Sequence, residues 1–312
     1  MKKLLTSGYA LIIFSSIALS FKAILVKVGY GLGMDAITLM LMRLYVAIPF
    51  FVAALLLMEG KSAFRNEASD MGIFALMGIG GMGLAMLFSF RSLELIDASV
   101  NMVLTFTYPA ITVMIMAAFG GERVTASRIF SLVATFAGLA LVVRLDEAGS
   151  GALSGASGKG ALFALISAFC YALYNTIGQK VMKRVSPVRV SAYCTVFLSA
   201  FYGGLFGMRP YPLDITVWGL AAVLGIFCGF LPFLALLYGI QSIGASRAAI
   251  ISSSGPVFTA IWAYLFLGEQ LDAVQLAGMG MVIVGVMALK IKVPAWMIFF
   301  ARVKGEFKKE IV

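Results

Sequence analysis

"IDASVNMVLTFTYPAITVMIMAAFGGERV", residues 96–124, and "IGASRAAIISSSGPVFTAIWAYLFLGEQL", residues 243–271, are two versions of one segment. Ala98-Ser99 answers Ala245-Ser246, Pro109 answers Pro256, and Gly121-Glu122 answers Gly268-Glu269. Farther on, Gly138 answers Gly285. Each pair lies 147 positions apart (98 to 245) without a gap. Apolar composition alone gives scattered matches, whereas a fixed register of Ala-Ser, Pro and Gly-Glu implies a duplicated unit. The earlier segments align more loosely, with Lys27 against Lys180 at an offset of 153 (27 to 180). That register sets Asn175 opposite Lys22 and Val196 opposite Arg43.

Working outward, apolar runs recur along all 312 residues, 62% of which are hydrophobic and 12% charged. A soluble domain is about 25% charged, so the chain reads as an all-α integral membrane protein. Ten spans are expected at 7–28, 36–58, 71–91, 98–119, 127–145, 160–181, 188–208, 216–240, 245–267 and 273–292. Residues 1–145 and 160–292 form the two five-span units, and the Gly/Ser/Ala-rich 146–159 reads as a linker. Five is odd, so the second unit enters the membrane from the opposite side, giving a 5+5 inverted-topology repeat. The basic start Met1-Lys2-Lys3 leads into an apolar run too long for a signal peptide, and removing it would break the repeat. Residues 293–312, with Trp296, Phe299, Phe300 and several lysines, suggest a basic cytoplasmic tail or a helix lying on the leaflet.

The net charge of +10 is a topology signal rather than a nucleic-acid footprint. With both termini cytoplasmic, 17 Lys and Arg fall on that side and 5 on the other, as the positive-inside rule requires for a protein of the cell (inner) membrane. Cys170, Cys194 and Cys228 all lie in apolar runs and imply no disulfide. Histidine is absent, and no metal or other cofactor is expected. "GIGGMG", 78–83, fits a dinucleotide fingerprint only in letters, since no strand precedes it; its glycines suit close helix contact.

The "P…GE…G" pattern in both halves, with Lys27 and Arg43 in the first two spans, resembles the paired EamA domains of the drug/metabolite transporter superfamily. The resemblance covers nearly the whole chain. It implies a transporter with a central cavity lined largely by spans 3, 4, 8 and 9, with contributions from 1 and 6. It also implies cargo among amino acids, nucleotide-linked or phosphorylated sugars and similar metabolites.

Candidate substrate-binding residues follow from charge and polarity at membrane depth. Arg43 lies inside the second span, because starting that span after it leaves too few residues to cross. Lys22 is deep in the first span, or at its outer edge if the span starts earlier. No Asp or Glu lies well inside any span. The two cations therefore call for an anionic ligand, a loop acid, or snorkelling to the interface. Asn101, Thr105 and Tyr108 share one helical face at i, i+4 and i+7. Ser252 and Ser253 precede Pro256, and Pro109 and Pro256 free the carbonyls of Thr105 and Ser252, marking kinks or gates. Tyr174, Asn175, Tyr238 and Trp262 complete the candidate set. These residues suit packing as well as binding.

The expected function is alternating-access export or exchange of a small metabolite, an amino acid or related organic anion, by a monomer or homodimer. Carriage of a phosphorylated or nucleotide-linked sugar is the nearest alternative. A channel-like or non-transporting subunit is the alternative from another class, although no ring of identical polar residues suggests a filter. An enzyme is not expected, since buried acids, histidine and metal spacing are missing.

Overall fold

The computed structural model describes residues 2–60, 68–96, 98–122, 124–143, 155–207, 214–268 and 270–289. They form ten helices, with no strand among the described residues. These are α1 (Lys2–Gly31), α2 (Ala36–Glu59), α3 (68–93), α4 (98–119), α5 (Ala126–Val142), α6 (Gly155–Val181), α7 (Pro187–Phe206), α8 (215–243), α9 (245–267) and α10 (Ala273–Ala288). The tail at 293–312 and most of the linker lie outside the described residues. Residues 155–159, expected in the linker, instead begin α6.

Among the described residues, eight helices are long and apolar enough to cross a membrane. α5 and α10 are shorter than the expected spans, at 17 and 16 residues. Such lengths reach about 26 Å at 1.5 Å per residue, slightly less than a bilayer's hydrocarbon core. The surface is that of a lipid-facing protein. Leu57, Phe119, Ile215 and Val133 are exposed, while Ser15, Thr112, Ser131 and Asn175 are buried.

Helix starts follow local chemistry. Asp35 accepts from the backbone N–H groups of Ile37 and Thr38 at 3.0 Å. Ser186 accepts from Arg189 N–H at 3.3 Å, ahead of Pro187. Both are N-caps, which stabilise a helix by about 1 kcal/mol.

Four helices are irregular, two of them at the prolines where kinks were expected and two where single regular runs were expected. α4 breaks between Ala98–Thr105 and Tyr108–Phe119, and α9 between Ala245–Ser252 and Gly255–Leu267. Pro109 and Pro256 lack an N–H, so the turn closes on other carbonyls. Thr107 Oγ1 donates to Leu104 O, and Ser254 Oγ to Ile251 O, each at 2.7 Å. α3 and α8 each contain a π-helical segment, Leu76–Gly83 and Ile226–Phe230. The first is the "GIGGMG" stretch, and its glycines do permit close contact. A Cβ on Gly78 would sit 2.6 Å from Cys194 O.

Contacts recur in matched pairs across the halves. Ser15 Oγ donates to Pro232 O, tying α1 to α8 at 2.9 Å, and Ser167 Oγ donates to Ala85 O, tying α6 to α3 at 2.7 Å. The Gly78 approach to Cys194 O is matched by Gly225, whose Cβ would sit 2.9 Å from Arg43 O. α5 and α10 face each other through Gly138 and Gly278, each Cβ position under 3 Å from the other's carbonyl oxygen. These pairs correct the loose register of the first spans. The offset is 152 in α1 and α6 (15 to 167) and 151 in α2 and α7 (43 to 194). Tyr174 is therefore opposite Lys22, and Cys194 opposite Arg43, in place of Asn175 and Val196. Backbone contacts define equivalence here; similarity of apolar letters could not.

The helices are not packed equally at both ends. Where α2, α4, α6 and α8 finish, the first piece of α9 packs against the second piece of α4, against α6 and against α8. Among the described residues, the corresponding pieces at the other end, the first of α4 and the second of α9, show no comparable packing.

Candidate substrate site

Arg43 is buried, with 4% of its surface exposed. Its backbone is brought in by Gly225, the last residue before the π segment of α8. Its side chain lines a narrow cavity shared with Met82 of α3, Tyr174 of α6, Cys194 and Thr195 of α7, and Gly229 of α8. Met82 and Gly229 are equivalent by the 147 offset, as are Arg43 and Cys194 by the 151 offset. The cavity therefore lies where the two halves meet, beside both π segments. The Nε of Arg43 has no hydrogen-bond partner. An uncompensated buried cation is costly and marks a functional position more often than a structural one.

Lys22 lies deep among protein atoms yet keeps an exposed side chain. Its ammonium is within electrostatic reach of Arg43 and of the buried Cys228 thiol. Lys27 is exposed nearer the helix end.

The remaining candidates divide between this cavity and helix packing. Tyr174 lines the cavity, stacked on Tyr171 with ring centroids 6.1 Å apart. Asn175 is buried, and its Oδ1 has no partner. Asn101 and Thr105 bond each other at 3.2 Å, and Asn101 Nδ2 donates to Ser89 Oγ at 3.3 Å, tying α4 to α3. The break in α4 ends the single face expected for 101, 105 and 108. Tyr108 instead reaches α9, donating to Ala249 O at 3.3 Å and meeting the Ser252 hydroxyl. Ser253 donates to Ala249 O, and with Pro109, Thr107, Leu132 and Phe136 it lines a second, roomier cavity between α4, α5 and α9. Pro256 is buried at the start of the second piece of α9. Trp262 Nε1 donates to Ser20 Oγ at 3.0 Å, and its ring packs on Phe21, so it braces α9 on α1. Tyr238 is half-buried near Glu59.

The Arg43 cavity departs from the expected lining. α3, α6 and α8 contribute, but α2 and α7 stand where α4, α9 and α1 were expected. Leu44, Cys194 and Thr195 were missed, because nothing in an apolar run distinguishes a wall residue from a lipid-facing one. The duplicated register, taken at 151, points to Cys194.

Beyond the cavity, the end where α2, α4, α6 and α8 finish carries inter-element polar links. Arg189 Nε donates to Glu59 at 2.8 Å, and Ser186 also bonds Glu59. Arg184 pairs with Asp70 at 2.6 Å, and Arg128 with Glu122 at 2.8 Å. Glu59, Asp70 and Glu122 thus have loop or helix-end partners rather than Arg43.

A crystal structure superimposes with a TM-score of 0.78 over 91% of this chain and 96% of that one, at 19% identity, which shows a shared fold. The chain is 28% identical to an uncharacterized transporter, YcbK, of Bacillus subtilis, over 88% of this chain and 89% of that protein. It is 26% identical to an uncharacterized transporter of Archaeoglobus fulgidus, over 86% and 92% respectively. The model of the EamA-like transporter family matches twice, at residues 6–144 and 158–290.

Proposed function

For a chain that belongs to the EamA-like transporter family, we propose carriage of a small organic anion, an amino acid or related carboxylate, with Arg43 holding the anionic end. The observation that carries this reading is the buried guanidinium with an unpaired Nε in a cavity between the halves. A guanidinium fits a carboxylate bidentately, and loading neutralises a charge the empty protein must bury. Lys22 adds a second positive charge within electrostatic reach of Arg43. Apolar walls such as Leu44, Leu198 and Phe233 suit the uncharged remainder of a small metabolite.

Transport proceeds by alternating access, as export or exchange. The two halves sit in the inner membrane in opposite orientation, with both termini cytoplasmic. The basic bias of the loops supports this orientation. The matched contacts support two interchangeable halves, which suits one state facing in and one facing out. The second reading, a phosphorylated or nucleotide-linked sugar, is favoured by one feature: two cations, Lys22 and Arg43, in electrostatic reach of each other.

A thermal-shift screen of the purified protein against carboxylates, amino acids and sugar phosphates separates the two readings, because a ligand that binds the folded state raises its melting point. A hit is then tested for saturable counterflow in proteoliposomes. Linear, non-saturating flux would sink the carrier reading, and hits confined to sugar phosphates would replace the carboxylate reading.

A further inference from the structure

Gln179, near the end of α6, joins two other elements at the closed end of the bundle. Its Nε2 donates to Glu122 Oε1 at 3.3 Å, in the loop between α4 and α5. Its Oε1 accepts from the backbone N–H of Ala245, the first residue of α9. Glu122 is itself held by Arg128 at 2.8 Å. Gly244, at φ +87°, turns the chain from α8 into α9 beside both partners: a Cβ there would sit 3.3 Å from Glu122 Oε1 and 3.6 Å from Gln179 Oε1. The first N–H of a helix has no partner within its own helix, so the Gln179 oxygen satisfies an otherwise orphaned donor.

The seam these bonds close runs inward along α6. One turn before Gln179, Asn175 is buried with an unpaired Oδ1. Earlier on the same face, Ala168 and Ala172 pack with Tyr108 of α4 and Ala249 of α9. Parting α9 from α4 and α6 would open a path toward the Arg43 cavity, where Tyr174 is a wall, and would give water to the Asn175 oxygen.

The register adds an asymmetry. By the 152 offset Gln179 corresponds to Lys27, and by the 147 offset Ala245 corresponds to Ala98. An amide can donate to an acid and accept from an N–H at once, whereas an ammonium has no acceptor. Lys27, the counterpart of Gln179, therefore cannot form the same two-sided bridge.

We propose that Gln179 is the latch of the closed end, holding the first piece of α9 against α4 and α6 until substrate exchange requires that seam to part. The proposal rests on the transporter reading, but its test needs no substrate. Ala249→Cys places a small thiol in the seam, in full-length protein whose Cys170, Cys194 and Cys228 are replaced by alanine. The rate of modification by a soluble maleimide in detergent then reports how often the seam opens. Gln179→Leu, similar in size and unable to form either bond, should raise that rate about tenfold, the effect of losing roughly one net hydrogen bond to a charged partner. Gln179→Lys, which retains only the donor, should fall between the two and serves as the reporting variant if Gln179→Leu misfolds. Equal rates for Gln179, Gln179→Leu and Gln179→Lys would overturn the latch while leaving the Arg43 reading intact. Normal latch behaviour without saturable counterflow would overturn the transport reading instead.

Discussion

Arg43 and Cys194 occupy matching places in the two halves, each with its backbone oxygen against a glycine of a π-bearing helix. One is a cation that must be solvated or paired, the other a small soft group content in an apolar wall. The duplicated backbone supplies the cavity, and the departure from duplication supplies its chemistry. A site with two identical walls would hold a symmetric ligand or none. A single guanidinium beside the centre gives the cavity a polarity, which is what recognition of one end of a small anion requires.

The largest effect should come from removing that polarity. Arg43→Gln should lower counterflow of the true substrate by 100-fold or more and abolish its thermal shift, as loss of a buried charged hydrogen-bonding partner does. Arg43→Met should meanwhile leave the ligand-free melting point unchanged or raised, because an uncompensated charge leaves the interior. A fall in melting point with transport retained would make Arg43 structural and erase the contrast with Cys194.

Next in size is the shared seam of the halves. Gly138→Leu would drive side-chain atoms into the α10 backbone, since a Cβ alone would sit 2.6 Å from Gly278 O. Overpacking of this kind costs about 1–3 kcal/mol and should lower the melting point by several degrees. Gly280→Leu, on the same α10 but with nothing within 4 Å, is the control and should change little. Equal effects at both positions would mean that the α5–α10 contact is not a fixed joint.

Ion pairs sharpen the comparison of the two ends. Arg189→Ala would strip the partly buried Glu59 of its charged partner, leaving only the Ser186 bond, and should cost about 1–3 kcal/mol. Arg91→Ala breaks only an exposed pair within one turn, with side chains 58% and 59% accessible, and should be close to neutral. Melting curves of the two variants compare them directly.

The smallest change is expected at the brace between α1 and α9. Trp262→Phe loses the 3.0 Å bond to Ser20 and should lower stability by about 1 kcal/mol. Transport should persist; abolished counterflow would return Trp262 to the substrate path.

The fold was largely legible in the sequence because a bilayer leaves few solutions. Apolar runs must be helices, and the 147-residue register with its Pro and Gly-Glu marks predicted the paired breaks at Pro109 and Pro256. The site was less legible. Arg43 stood out because a charge at membrane depth needs a reason. Asn101, Thr105 and Trp262 looked equally polar, yet Asn101 and Trp262 bond to neighbouring helices and Thr105 to Asn101 in its own, none of them lining the Arg43 cavity.

Composition and periodicity by themselves determined that this protein is a helical membrane protein with a doubled plan, since burial in lipid and a fixed repeat are properties of the chain alone. Only the tertiary structure decided which residues of the two halves are equivalents and which carbonyl each glycine approaches. It also decided that Gln179 bridges Glu122 and the start of α9 at one end of the bundle. Those outcomes depend on helix rotation and axial shift, and a shift of one or two residues along a uniformly apolar helix changes its partners while leaving its hydrophobic pattern almost the same.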